Sequence, residues 1–336
     1  MIDLLVAGAG PVGLAAAIRA RLAGLDVTVV DPRTAPIDKA CGEGLMPDAL
    51  RHLQDLGVDP EGAPFTGIRY LAPGSSAVAR FAEGTGRGVR RTVLQEALHA
   101  RAVGLGVEMI AGRVDSVAQS SDHIDASGVR ARHLIAADGL HSQAREAIGI
   151  RTLPARWHRY GIRQHFAMEP WTDMVEVYWL PDAEVYVTPV GQACVGVAVL
   201  GVPPLGLQAA IARIPSLAQR LRQAQPSSEL RGAGPMDVRT TARQRGRALL
   251  AGDAAGYVDA LTGEGLRIGF AQADAAVSCI VREGIEDYDE QWRQITRGYR
   301  VLTSALLLAG GSRMRWAIVP TARALPSAFA RIVNAL

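Results

Sequence analysis

Six residues near the start, Gly8-Ala9-Gly10-Pro11-Val12-Gly13, restrict what this chain can fold into more than any other segment. They follow an apolar run, residues 2–7 (IDLLVA), that suits a strand buried on both faces. They precede residues 14–23 (LAAAIRARLA), which read as a helix closed by Gly24. Residues 26–30 (DVTVV) are β-branched and stop at Asp31-Pro32, completing a βαβ unit with parallel strands. Gly8 allows the tight turn, Gly10 lets the backbone approach a pyrophosphate, and Gly13 permits close packing of helix on sheet. Phosphates would meet unpaired N–H groups and the positive end of the helix dipole. Asp31 lies 18 residues after Gly13, where a carboxylate can accept hydrogen bonds from ribose hydroxyls. Pro11, Val12 and Arg33 belong to the same candidate cofactor end. This context predicts a dinucleotide site over a ligand-free glycine turn, and leaves NAD and FAD open.

The remaining composition narrows the class. The 336 residues exceed one ordinary domain, so two regions or one large α/β body are expected. With 36 Lys+Arg against 33 Asp+Glu, the net charge of +3 predicts no nucleic-acid surface. Lys39 is the only lysine. Cys41, Cys194 and Cys279 are far apart without a CxxC, which argues against a disulfide scaffold or a metal site and suits a reducing compartment. The start lacks a basic signal-peptide region, and no run reaches the roughly 18 apolar residues of a spanning helix. A soluble, cytoplasmic protein is expected.

Further along, helices are expected at 47–56, 91–105 and 207–224, and short strands at 66–80, 107–117 and 133–137. Between 160 and 200, VEVYWL, EVYVTPV and ACVGVAVL are separated by turn residues and predict an antiparallel sheet. A strand at 248–251 leads into a Gly/Ala-rich stretch and a helix ending near Arg282. The tail is helical, with breaks near Gly310-Gly311, Pro320 and Pro326. The expected fold class is α/β, a Rossmann-like cofactor domain with an inserted antiparallel substrate sheet and C-terminal helices. Its expected parts are 1–155 (cofactor domain, with a substrate-side excursion near 60–85), 156–240 (β-rich substrate domain), 241–285 (cofactor domain, continued) and 286–336 (helical region).

Two more motifs carry chemistry. Asp138-Gly139-Leu140-His141-Ser142-Gln143-Ala144-Arg145 follows an apolar strand and spells DGxxSxxR. Gly252-Asp253-Ala254-Ala255-Gly256 follows another, and its aspartate can bind a ribityl or ribose hydroxyl. Gly263-Glu264-Gly265 opens the next helix, whose N–H groups can face a flavin edge or a phosphate. Taken singly, DG is a common turn and GDAAG an ordinary strand-to-helix corner.

In this order, the three motifs resemble the superfamily of FAD-dependent monooxygenases of the para-hydroxybenzoate hydroxylase type, with its geranylgeranyl reductase branch. The resemblance spans most of residues 1–285. It implies a cofactor domain of the glutathione-reductase-2 type, with FAD held by the first motif, Asp31 and Asp253. It places Arg91 near the flavin chain and makes Asp138 and Arg145 candidates for FAD or NAD(P)H contact. Lys39-Ala40-Cys41-Gly42-Glu43-Gly44-Leu45 is similar to the KPCGGGL segment of the reductase branch, and GDAAGYVDALTGEGL is closer to that branch than to the hydroxylases. It departs from both at Asp259-Ala260, where a proline is expected.

The resemblance implies an FAD oxidoreductase. The leading reading is a monooxygenase hydroxylating an aromatic or lipophilic small molecule with NAD(P)H and O2. The alternative is reduction or dehydrogenation of a carbon–carbon bond in a lipophilic substrate, and a remote one is a non-catalytic binder on the same fold. Cys41 and Glu43 are catalytic candidates beside the flavin, Cys41 also reading as a small packed hydrophobe with no partner base in view. His141 reads as a surface-loop residue. Trp179, Tyr186 and Pro189 lie on strands the family uses as its substrate floor, though aromatics at period-two spacing also suit a core. Apolar residues and arginines alternate in the tail, either as amphipathic helices covering the domain or as a lipid-facing substrate entrance.

Overall fold

A computed structural model describes residues 1–335. Leu4, Leu5 and Val6 are fully buried, as an apolar strand flanked on both sides requires. Strand Ile2–Ala7 pairs in parallel with Val27–Asp31 on one side and Val129–Ala136 on the other. Glu108–Ala111 and Ala248–Leu250 extend the parallel sheet outward, and Gln244–Arg245 closes one edge antiparallel. Helices Pro11–Leu22, Arg91–Gly104 and Gly265–Val281 pack together beside this sheet. The chain leaves and returns to this body, as its α/β reading predicts.

The second large sheet runs Gln225–Pro226, Tyr160–Ala167, Cys194–Gly201, Ala183–Gly191, Val175–Trp179, Gly67–Ala72, Ser75–Arg80. All its neighbours are antiparallel except Val175–Trp179 and Gly67–Ala72, which run parallel. One face carries Phe166, Tyr178, Val185, Val187, Val195, Val197 and Val199 and is covered by helices Leu207–Ala212 and Pro215–Leu221. The other face looks into the molecule, toward the parallel sheet.

Two expectations are corrected. The single helix at 207–224 is two short helices, because Pro215 has no N–H to donate and disfavours helical backbone at Ile214. Pro320 does not break the tail. It occupies the first turn of helix Ile318–Ala324, where its missing N–H has no intrahelical partner to lose. Helix Tyr288–Gly310, the turn Arg313–Ala317 and helices Ile318–Ala324 and Pro326–Val333 form the tail, the last two packing on strand Ser75–Arg80. Among the described residues no helix is long and apolar enough to cross a membrane, and no His/Cys/Asp/Glu group could hold a metal.

Candidate active site

One long cleft runs between the two sheets, and its two walls are built differently. The first wall is mostly backbone. Gly8 adopts φ +103°, and a Cβ there would stand 2.7 Å from the Ala137 carbonyl oxygen, so only glycine lets the first turn touch the DG segment. A Cβ on Gly13 would stand 1.9 Å from the Gly8 carbonyl oxygen. A Cβ on Gly10 would meet only Arg91 Nη2, 4.0 Å away. Gly10 thus opens onto the cleft at the start of helix Pro11–Leu22, which has no side-chain cap. Arg91 lines the same stretch with a buried Nε that has no hydrogen-bond partner among the described residues. Free N–H groups, open space and a guanidinium with an unpaired Nε together suit a pyrophosphate.

Asp31 is buried and does not reach the lining; Arg33 does. The Asp31 carboxylate accepts from Ala9 N at 2.8 Å and is gripped by the Arg33 guanidinium at 2.8–2.9 Å. Burial works to raise this carboxyl, and the Arg33 and Ala9 donors outweigh it, holding it below its ordinary range. Asp138 lines the cleft while accepting from Ser142 Oγ and from Ala144 N at 3.0 Å, so it also fixes the start of helix Gln143–Ile148. Asp253 faces Lys39, whose Nζ lies 3.0 Å from Oδ2. Gly42, Gly139, Gly252, Gly263 and Gly265 complete the lining from the predicted set, with Pro11 and Val12.

Two more predicted cofactor contacts, besides Asp31, stand behind the wall. Buried Arg145 donates to the carbonyls of Ala254 (3.2 Å) and Leu140 (3.4 Å), tying the DG and GDAAG segments together. Buried Glu264 pairs with Arg267, one turn along its own helix.

The second wall is made of side chains from five strands. Tyr70, Val177, Tyr186, Ala198 and Arg163 form one row across the sheet, each paired in register with the next. Ile68, Val175, Leu200 and Gly161 line it from adjacent rows, and Met236 and Leu261 from loops. Tyr186 therefore reaches the cleft, its hydroxyl donating to Leu261 O at 2.8 Å. Trp179 and Pro189 do not. Trp179 shares the face of Val177 but lies beyond the cleft's end, under the Arg313–Ala317 turn, where Arg315 stacks on its ring. Pro189 sits where the strand pairing shifts, its carbonyl packed against Gly88.

Between the walls, the 39–45 segment places Cys41 and Glu43 on the lining. Glu43 is buried in a left-handed conformation, φ 60°. Its Oε1 accepts from Arg91 N at 2.8 Å, and its Oε2 lies 2.6 Å from His165 Nε2. His165 Nδ1 faces Arg163 Nη1 at 3.3 Å and Ser228 Oγ at 2.9 Å. A guanidinium can only donate, so Nδ1 accepts and the imidazole proton stays on Nε2, aimed at Glu43. Arg163 also pairs with Asp38 and stands 3.6 Å from Glu43. Gly196 makes room for the contact, since a Cβ there would stand 3.1 Å from Glu43 Oε2. Sequence reasoning missed His165 and Arg163, although Gly161, Arg163 and His165 alternate on one strand and so share a face. His141 is exposed, as expected, its Nε2 3.1 Å from Gly234 O.

Residues 1–68 and 100–280, which include most of both walls, match the protein family described as FAD binding domain. The chain belongs to that family. This FAD-binding chain is 32% identical to menaquinone reductase of Mycolicibacterium smegmatis, across 91% of the chain and 84% of that protein. It is 28% identical to digeranylgeranylglycerophospholipid reductase 1 of Methanopyrus kandleri, across 87% of the chain and 86% of the relative. Its fold matches p-nitrophenol 4-monooxygenase of Pseudomonas putida with a TM-score of 0.78 at 19% identity, covering 94% of the chain and 89% of that structure. The protein is an FAD-dependent oxidoreductase of the family that includes the para-hydroxybenzoate hydroxylase-like monooxygenases and geranylgeranyl reductase relatives.

Proposed function

We propose that this enzyme reduces a carbon–carbon double bond in a lipophilic substrate, with NAD(P)H as the electron donor. The observation that carries this reading is the second wall, where Ile68, Val175, Val177, Ala198, Leu200, Met236 and Leu261 present an almost continuous apolar surface to the cleft. It is supported by relatives along most of the chain whose names are those of reductases acting on a prenylated quinone and on a prenyl lipid. In this reading residues 1–155 and 241–285 serve the cofactor, and 156–240 with the 60–85 excursion serve the substrate.

Reduced FAD, when bound, supplies a hydride to one alkene carbon. The protein's part is the rest. Gly10, Arg91, Arg33 and the Asp253–Lys39 pair would hold the dinucleotide, with Arg91 and Lys39 supplying positive charge. The apolar row orients the chain of the substrate and excludes water. The Glu43–His165 pair holds one exchangeable proton at the edge of the cleft beside Cys41, ready for the second alkene carbon, and Ser228 connects the imidazole outward.

Hydroxylation of an aromatic substrate with O2 is the second reading. Arg163 favours it, as a fixed positive charge at the end of the row that would attract an acidic ring substrate, although Asp38 already pairs with it.

Incubation with NADPH and menaquinone, followed by mass spectrometry of the re-aerated product, separates the two. A product heavier by two hydrogens that persists in air marks a saturated chain, whereas a reduced quinone ring reverts. Gain of one oxygen supports hydroxylation, and an unchanged substrate with every prenyl lipid tried overturns the reductase reading. Glu43→Gln is expected to slow turnover by roughly 10²-fold or more with FAD still bound. His165→Asn should move the pH profile of that rate as well as its size.

A further inference from the structure

We propose that the outer surface of the C-terminal helices docks on an anionic lipid surface. Residues 291–336 contain seven arginines and not one aspartate or glutamate, in a chain whose charges otherwise nearly balance. Arg297, Arg313, Arg323 and Arg331 are exposed and form no ion pair among the described residues. Interleaved with them are large apolar side chains held out to solvent: Val301 (67% exposed), Leu308 (62%), Met314 (66%), Trp316 (59%) and Leu325 (57%). Val301, Ala305 and Leu308 lie on one side of helix Tyr288–Gly310, whose opposite side buries Trp292, Tyr299 and Leu307. The turn Arg313–Ala317 continues directly from it and carries Met314 and Trp316 outward, while Arg315 points inward.

That inward arginine fixes the presentation. Its guanidinium donates to Ala183 O at 2.6 Å, pairs with Glu184 at 2.7 Å and stacks on Trp179. The turn is thereby pinned to the end of the sheet that floors the cleft, so the exposed Met314 and Trp316 cannot fold back onto the core. Amphipathic indole and thioether groups beside unpaired arginines are the chemistry of a headgroup–acyl boundary, and an unpaired positive field selects anionic lipid over zwitterionic. A partner protein of matching shape would need acidic groups facing those arginines. A second copy of this chain offers none from residues 291–336, its acids at Asp289 and Glu290 lying at the far end of helix Tyr288–Gly310 where they pair with Arg293. The turn also caps the sheet at Trp179, two residues past Val177 of the cleft wall, which sets this surface beside that end of the sheet.

The test uses the full FAD-loaded chain without substrate, so that its outcome does not depend on what the cleft reduces. Co-sedimentation is measured with vesicles of phosphatidylcholine alone and with vesicles of equal parts phosphatidylcholine and phosphatidylglycerol. Binding to the mixed vesicles is expected to be roughly tenfold or more tighter, and to weaken as salt is raised. Replacing both exposed anchors, Met314→Ser with Trp316→Ser, should weaken it by roughly tenfold, with unchanged thermal unfolding and flavin content. Arg313→Gln and Arg323→Gln should each cost about fivefold. Equal binding to both vesicle types, no binding to either, or binding untouched by the anchor variant would overturn the proposal. A dimer in solution that the anchor variant dissociates would also overturn it, by assigning the surface to a second copy.

Discussion

The two walls of the cleft obey different physical rules. The cofactor wall is backbone: Gly8, Gly10, Gly13, Gly139 and Gly252 work by what they lack, each within a short motif, although the groups they leave room for, such as Ala137 at Gly8 and Val12 at Gly252, come from distant segments. The opposite wall is side chains held at long range, where Tyr70 meets Val177, and Val177 meets Tyr186, only because strands from separate segments pair in one register. A backbone wall fits a ligand that must always be the same. A side-chain wall can be re-lined one residue at a time without disturbing the fold, which suits a family with many substrates.

The sharpest way to break this contrast is within one motif. Gly13→Val should unfold the protein, a loss above about 4 kcal/mol, because the new side chain has no space beside the Gly8 carbonyl. Gly10→Val should leave the protein folded and colourless, since its side chain enters only the space of the pyrophosphate. Circular dichroism with visible flavin absorbance separates the two; a folded yellow Gly10 variant would remove Gly10 from the site.

On the other wall, Trp179→Ala should cost about 3–5 kcal/mol of stability, read by chemical denaturation, while leaving the KM of folded enzyme unchanged, because Trp179 packs under Arg315 outside the lining. Val177→Ala, on the same face, should cost less stability and raise KM. The reverse pattern would put Trp179 back in the substrate site.

The smallest effect concerns the joint between the walls. Asp259, from the cofactor side, pairs with Arg159 of the substrate side, which also holds Glu184. Burial pushes the Asp259 carboxyl up to about 6, against the pull of Arg159. Between its unfolded value near 3.9 and that level, the unfolded chain releases the proton before the folded one does. This group therefore lowers stability as pH rises through about 4 to 6, by about 3 kcal/mol at most. Asp259→Asn should flatten that part of a plot of Tm against pH, and an unchanged slope would show that Asp259 is ionised throughout.

The difference between the walls also explains what could be read from the chain. The glycine motifs, the βαβ unit and the FAD-binding fold were legible because their chemistry is local, a turn and a helix start at fixed spacing, whereas Asp31, at its expected distance, grips Arg33 behind the lining. The β-rich middle was legible as strands, but not the function of each residue. Strand parity decides which face a side chain takes, and parity alone does not say where the cleft ends. Tyr186 and Trp179 both point to the correct face, and only Tyr186 meets the cavity. The partner of Glu43 was hidden for the same reason, being 122 residues away and reached through a gap that Gly196 leaves. Arg145 and Glu264 sit in recognisable motifs, yet they brace the wall from behind.

The Lys39–Asp253 contact has a practical corollary. Since this chain has one lysine, it carries a single ε-amine, and that amine spans the cofactor channel. An amine-reactive reagent thus addresses one interior position besides the N-terminus. Peptide mapping of labelled protein would read channel occupancy directly, with labelling at Lys39 falling as FAD fills the cleft and recovering when it leaves.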